Sequence, residues 1–176
     1  MLGHGTRFRE THAHRPEALL LRLPDPGSGV TMRQVRSIFL SDIHLGTKAC
    51  QAHHLLDFLK AYSAEHVFLL GDIVDLWSMS RGGIHWPPAQ NTFVQKMLRR
   101  ARRGEKVIFI PGNHDEAIRE YIGSSFGNIL VENDYIHTAA DGRRYLLLHG
   151  DEFDQVTRHH RWIAILGDQM TKFTTE

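Results

Sequence analysis

The stretch LSDIHLG, residues 40–46, decides how the rest of the chain reads. It closes the apolar, β-prone run Ile38-Phe39-Leu40 and then places Asp42 and His44 two residues apart. Side chains at i and i+2 leave an extended chain on the same side. A carboxylate and an imidazole therefore converge where a buried strand stops. The same punctuation recurs downstream. Val67–Leu70 runs into Gly71-Asp72-Ile73-Val74-Asp75, Val107–Ile110 into Pro111-Gly112-Asn113-His114-Asp115, and Arg143–Leu148 into His149-Gly150-Asp151. Each cluster alone reads equally as a polar turn. Taken together they predict a site, because open α/β sheets bind ligands beyond the carboxyl ends of their strands. All four clusters are expected on one rim. Carboxylate, amide and imidazole donors suit Mn²⁺, Fe or Zn²⁺ better than Ca²⁺.

Between these strands lie segments of helical period. Ala52–Tyr62 sets Leu55, Leu56, Phe58 and Leu59 at helical spacing, and Thr92–Arg103 does the same with Phe93, Val94, Met97 and Leu98 before Gly104. A short helix is expected over Glu116–Ile122, and a last one over Gln155–Gln169 with Val156, Ile163 and Leu166. Ala140-Asp141-Gly142 reads as a hairpin turn between Tyr135–Thr138 and Arg143–Leu148. Strands alternating with helices predict a layered α/β fold.

Length and composition set outer bounds. The 176 residues suit one domain, and 41% hydrophobic with 23% charged residues is ordinary for a globular protein. Lys plus Arg (21) nearly equals Asp plus Glu (20), so bulk charge gives no strong nucleic-acid signal. Thirteen histidines supply the commonest metal-ligating side chain. The single Cys50 excludes an internal disulfide and fits a reducing, cytoplasmic compartment. It has no base in a nucleophile motif beside it and reads as inert. No apolar run approaches the ~20 residues of a membrane span, and Ala18-Leu19-Leu20-Leu21 is too short for a signal-peptide core. Residues 1–31, ending in Pro24-Asp25-Pro26-Gly27-Ser28-Gly29, read as a disordered or non-native extension, with the domain over 32–176 and Met32 a candidate start.

The quoted clusters resemble the calcineurin-like metallophosphoesterase superfamily, whose pattern runs Asp-x-His, Gly-Asp-x-x-Asp, Gly-Asn-His-Asp and then a His. The runs Gly71–Trp77 and His149–Asp154 are similar to the UDP-2,3-diacylglucosamine pyrophosphohydrolase group of bacterial lipid A synthesis, although the best-known members carry Arg where His114 stands. The resemblance implies an α/β/β/α sandwich holding two divalent metals, Mn²⁺ first and Fe or Zn²⁺ next. Asp42 and His44 would bind one metal, Asn113 and His149 the other, and Asp72 would bridge them. His114 would steady phosphoryl charge or protonate the leaving oxygen. Asp75, Asp115 and Asp151 would orient ligands and backbone without binding metal. The implied chemistry is in-line attack of metal-activated hydroxide on phosphorus, in a phosphoester or in a UDP-2,3-diacylglucosamine-like diphosphate. The implied partner is a small phosphorylated substrate, a lipid-linked nucleotide, met with peripheral contact at the inner face of the membrane. Nucleotide pyrophosphates, cyclic nucleotides and nucleic acid stand as other substrates, and oligomeric state is left open.

One element of that pattern does not follow His149. The superfamily's closing Gly-His-x-His is absent, and His159-His160, adjacent on the expected last helix, diverge by about 100°. The expectation is thus a partial domain truncated at its C-terminus. The alternative function is an inactive or partner-requiring metal-binding fragment. Arg99, Arg100, Arg102 and Arg103 read as a solvated basic helix end, with anionic lipid contact as the other reading. Trp77, Met79 and Trp86 are expected in a Gly82-Gly83…Pro87-Pro88 loop, where Arg81 is a weaker phosphate-contact candidate. His53-His54 reads as surface.

Overall fold

The computed structural model describes residues 32–151. Seven strands and three α-helices follow one another as β1 (Arg33–Leu40), α1 (Ala52–Ala61), β2 (Tyr62–Leu70), α2 (Leu76–Gly82), α3 (Pro88–Arg102), β3 (Lys106–Ile110), β4 (Ser125–Phe126), β5 (Ile129–Val131), β6 (Tyr135–Thr138) and β7 (Arg144–Leu147), with a 3₁₀ helix over Glu116–Tyr121. The main sheet has the order β1-β2-β3-β5-β4. Its first four strands are parallel, and only β4 runs antiparallel at the edge. β6 and β7 form a separate antiparallel pair.

The apolar runs explain the layering. Strands buried on both faces need no alternation, and β2 and β3 bury Val67, Phe68, Leu69, Val107, Ile108 and Ile110 almost completely. Val67, Leu69, Val107 and Phe109 face α1 and α3, meeting Leu59, Phe93, Met97 and Ala101. Phe68, Ile108 and Ile110 face the other way, toward Tyr135 and Leu147 of the β6–β7 hairpin. Each such side chain contributes about 1.5–3 kcal/mol by leaving water. Helices, parallel sheet and hairpin thus make α, β and β layers among the described residues. The expected last helix over 155–169 and its His159-His160 lie outside those residues. No helix among the described residues is long and apolar enough to cross a membrane.

Several boundaries depart from the periodicity. β2 begins at Tyr62, directly after α1, rather than at Val67. The abrupt change is held by Arg100 of α3, whose guanidinium donates to the carbonyls of Leu59 (2.9 Å) and Tyr62. These are carbonyls that a helix end leaves without intrahelical partners. Arg100 also pairs with Glu105 at 2.8 Å and is only 6% exposed. It therefore does not belong to a solvated basic end. Arg99, Arg102 and Arg103 do remain exposed. The segment expected as a Gly-rich loop is helical over Leu76–Gly82, because the Asp75 carboxylate caps it by accepting from the Ser78 N–H at 2.7 Å. The helix expected over Glu116–Ile122 is a 3₁₀ helix over Glu116–Tyr121, capped by Ile122. A β4–β5 hairpin, turned by Gly127 (φ 56°) and Asn128 (φ 67°), was not foreseen.

Arg100→Ala strips partners from two helix-end carbonyls and a part-buried Glu105. It is expected to cost about 3 kcal/mol in urea unfolding, whereas Arg102→Ala is expected to stay within about 0.5 kcal/mol. Equal midpoints for the two variants would show that Arg100 is not a structural staple.

Candidate active site

The loops leaving β1, β2 and β3 continue beside one another after the strands end. Gly71 donates its N–H to Ile110 O (2.7 Å), Asp42 to Gly71 O (3.2 Å), His44 to Asp72 O (2.9 Å) and Leu45 to Ile73 O (2.9 Å). To keep these bonds while turning, Asp42, His44 and Asp72 adopt left-handed backbone angles, with φ of 55°, 51° and 55°. Asp and His are among the few side chains enriched in that region. The strand-end residue types thus satisfy both the backbone and the chemistry.

Two buried carboxylates organise what these loops carry. Asp115, with no exposed surface, accepts backbone N–H groups from Gly112 (2.6 Å), Ile73 (2.8 Å), Val74 (3.2 Å) and Asp72 (3.3 Å). Burial pushes its pKa up, and the four donors only partly offset that. Asp75 receives Nδ1–H of His114 at Oδ1 (2.9 Å) and Nδ1–H of His44 at Oδ2 (3.0 Å). Burial alone would raise the Asp75 carboxyl, but the bonds from His114, Ser78 and His44 outweigh it and hold the pKa at about 2. The same bond to Asp75 raises His114, against the opposing pull of burial. The two rings stand edge to face with centroids 4.8 Å apart. With Nδ1 engaged on each, Nε2 is the nitrogen left to act as acceptor or ligand, the arrangement that carboxylates commonly impose on metal-binding histidines.

His44, Asp72 and His114 each place a ligand atom within 4.8 Å of the other two. Asp72 is 5% exposed, and its Oδ1 accepts the His114 N–H at 2.9 Å. His149 adjoins this group, with Nε2 at 3.8 Å from Asp72 Oδ1 and Nδ1 at 3.3 Å from Leu70 O. It reaches the same rim from β7 of the separate pair, not from the main sheet. The fourth parallel strand, β5, runs instead into Glu132-Asn133-Asp134. Gly71 and Gly112 lie under the His149 ring so closely that a Cβ on either would collide with it, and one on Gly112 would also strike the Asp72 carboxylate. Asp42 is exposed, its carboxylate accepting from the Ser41 hydroxyl. Asn113 is also exposed. Both lie on the same loops but outside the His44–Asp72–His114 group.

The remaining candidates fall close by. Arg81 stacks on the Trp77 ring at 4.1 Å, and Trp77 meets the His114 ring edge-on at 5.5 Å. Asp151 pairs with Arg119 at 2.7 Å, and Arg119 also donates to Pro111 O at 3.3 Å, joining the segment after His149 to the loop after β3. Sequence reading missed Arg119. It also missed Gln90, which is buried in α3 and clamps the first loop by accepting the Gly46 N–H (2.8 Å) and donating to Thr47 O (3.0 Å). A glutamine beside helix prolines carries no signal of that role. Burial pushes the Cys50 thiol up, away from thiolate chemistry. His53 and His54 are exposed.

A nest of imidazoles and carboxylates gathers at the strand ends, over glycines that admit no side chain, and its donors suit a divalent metal. Residues 35–171 match the calcineurin-like phosphoesterase family, and the chain belongs to that family. It is 33% identical over 120 residues to the UDP-2,3-diacylglucosamine hydrolase of Neisseria gonorrhoeae, covering 65% of this chain and 48% of that one. Enzymes of the same name from Blochmanniella pennsylvanica (27% over 117 residues; 65% and 46%) and Porphyromonas gingivalis (28% over 125; 65% and 45%) are similar as well. The chain spans about half the length of these relatives.

The Asp75–His114 bond makes metal-free stability depend on pH from both sides. Asp75, lowered to about 2, contributes above its unfolded pKa near 3.8, and that contribution is lost as pH falls toward 2. His114, raised from 6.5, contributes fully below that value and loses its share as pH rises through the raised pKa. Melting curves in EDTA are expected to peak between these limits, and Asp75→Asn is expected to flatten the profile at both ends. An unchanged profile in the variant would show that the pair does not set it.

Proposed function

We propose that this chain is a metal-dependent hydrolase of phosphoester or diphosphate bonds. The observation that carries the proposal is the gathering of His44, Asp72 and His114 at the ends of three neighbouring parallel strands, with both rings oriented by Asp75. The donor chemistry fits divalent metals of the Mn²⁺, Fe or Zn²⁺ kind, and Mn²⁺ is our first choice. Asp42 and His44 would hold one ion, Asn113 and His149 another, and Asp72 would be shared between them. Bound there, such ions lower the pKa of a water and offset phosphoryl charge.

The protein's own groups supply the rest. Asp115 holds the N–H groups of 72–74 in place, so the Asp72 carboxylate is set before ligand arrives. Gly71 and Gly112 leave the space that His149 fills. In this reading His114, anchored through Nδ1, presents Nε2 to donate a proton to the leaving oxygen. Trp77 and Arg81 flank it and would meet the rest of the substrate. The names of the relatives favour UDP-2,3-diacylglucosamine as the substrate; our own reading places the cleavage at its diphosphate, at the cytoplasmic face of a bacterial membrane in lipid A formation. The family match from residue 35 supports assigning the domain to 32–176 and treating 1–31 as an extension.

A second reading has one observation in its favour. Phe39, Ile136, Tyr145 and Leu146 are 46–60% exposed on β1 and the hairpin. A metal-binding domain completed by a partner would show such a face.

Hydrolysis of bis-p-nitrophenyl phosphate separates the two. The full chain is expected to show Mn²⁺-dependent turnover. Asp72→Asn is expected to lose bound Mn²⁺ and activity together. His114→Ala is expected to keep bound metal while turnover falls by about 10²–10⁴-fold. Equal rates for the parent and Asp72→Asn would sink the enzyme reading, and metal binding without turnover would favour the partner-requiring domain.

A further inference from the structure

Away from the metal-type site, an open apolar cleft runs between α3, the 3₁₀ helix and the β4–β5 edge of the sheet. A cavity of about 440 Å³ lies there with apolar walls, among them Leu69, Phe93, Met97, Phe109, Ile118 and Val131. Its mouth is formed by Leu98, Tyr121 and Phe126, which are 39%, 50% and 50% exposed. Sites for small molecules occupy ~300–1,000 Å³ with mostly apolar walls.

Leu98 is shared with a neighbouring cleft of about 450 Å³, which Gln95, Arg99, Arg102 and Asn128 also line. The β4–β5 turn brings the two together. Gly127, at φ 56°, approaches the Leu98 side chain so closely that a Cβ there would touch it. Arg99 and Arg102 are both exposed, one turn apart on α3. An apolar chamber thus opens beside a pair of guanidinium groups, and a ligand that satisfies both must be apolar at one end and anionic at the other.

We infer that the two clefts form one binding site for a single-chain anionic amphiphile, with its acyl chain under α3 and its carboxylate or phosphate head on Arg99 and Arg102. The site needs neither the metals nor the substrate of the proposed reaction. It does share a wall with them. Leu45, Ile73 and Val74 line the inner end of the cavity, and these residues carry the loops of His44, Asp72 and Asp75.

Laurate and dodecyl phosphate, titrated calorimetrically into the full chain below their micelle concentrations, are expected to bind one per chain. Dodecanol is expected to bind at least tenfold more weakly, and inorganic phosphate to give no heat. The pair Arg99→Glu and Arg102→Glu is expected to weaken laurate tenfold or more and to leave dodecanol unchanged. Val94→Trp, on the cavity wall, is expected to abolish both. Since a bulky wall variant can perturb folding, Phe126→Trp gives an independent reading: 12-bromododecanoate is expected to quench its added emission saturably. Absence of laurate binding, equal laurate affinity after charge reversal, competition by inorganic phosphate, binding only to phosphatidylglycerol vesicles, or a dimer that dissociates on Phe126→Ser would each overturn the inference.

Discussion

Four backbone N–H groups, from Gly112, Asp72, Ile73 and Val74, converge on the Asp115 carboxylate at 2.6–3.3 Å. The donors belong to the loops that leave β2 and β3, so one side chain with no exposed surface fixes the spacing of two strand ends. Backbone donors in a buried turn must be satisfied, and here no regular ladder continues far enough to do it. With those loops fixed, the left-handed angles at Asp42, His44 and Asp72 become tolerable, because strained backbone persists only where its surroundings over-determine it.

Asp75 works at a different level. It caps α2 through Ser78 and at the same time receives both site imidazoles. Helix start and ring orientation are therefore one constraint. Trp77 and Arg81, which follow on the first turns of α2, owe their position beside His114 to the same carboxylate. The stacking of Arg81 on Trp77 keeps a cation at the edge of a strongly acidic cluster without an ion pair inside it.

Much of this was legible in the sequence. Apolar runs stopped by Asp-x-His, Gly-Asp-x-x-Asp and Gly-Asn-His-Asp located β1, β2 and β3, and the 3.6-residue period located α1 and α3. The hairpin was visible through Ala140-Asp141-Gly142, and Ala139 and Arg143 do bond across it. What escaped was set by tertiary contact. Arg100, Arg119 and Gln90 look like surface residues of helices; the packing of α3 against α1 buries Arg100, the loop after β1 packs on Gln90, and Arg119 is held part-buried by Asp151 and the Pro111 carbonyl. α2 was hidden by Gly82-Gly83 and Pro87-Pro88, although the cap Asp75 with Ser78 three residues on was in view. The Gly127-Asn128 hairpin was overlooked because its strands are two and three residues long. His149 meets the other clusters at one rim but from the separate β6–β7 pair, because periodicity cannot say to which sheet a strand belongs.

That last point bears on how the protein assembles. β6 and β7 pair locally, from Tyr135↔Leu147 to Thr138↔Arg144, and need no other strand to define their register. The parallel sheet instead joins residues about thirty to forty positions apart, as in Ile38↔Val67 and Val67↔Val107, and such non-local pairing is intrinsically slow to form. His149 follows the locally paired strands, while His44, Asp72 and His114 belong to the non-local sheet. The site therefore lies on the seam between short-range and long-range pairing, and the glycines at 71 and 112 leave the room in which the His149 ring crosses that seam.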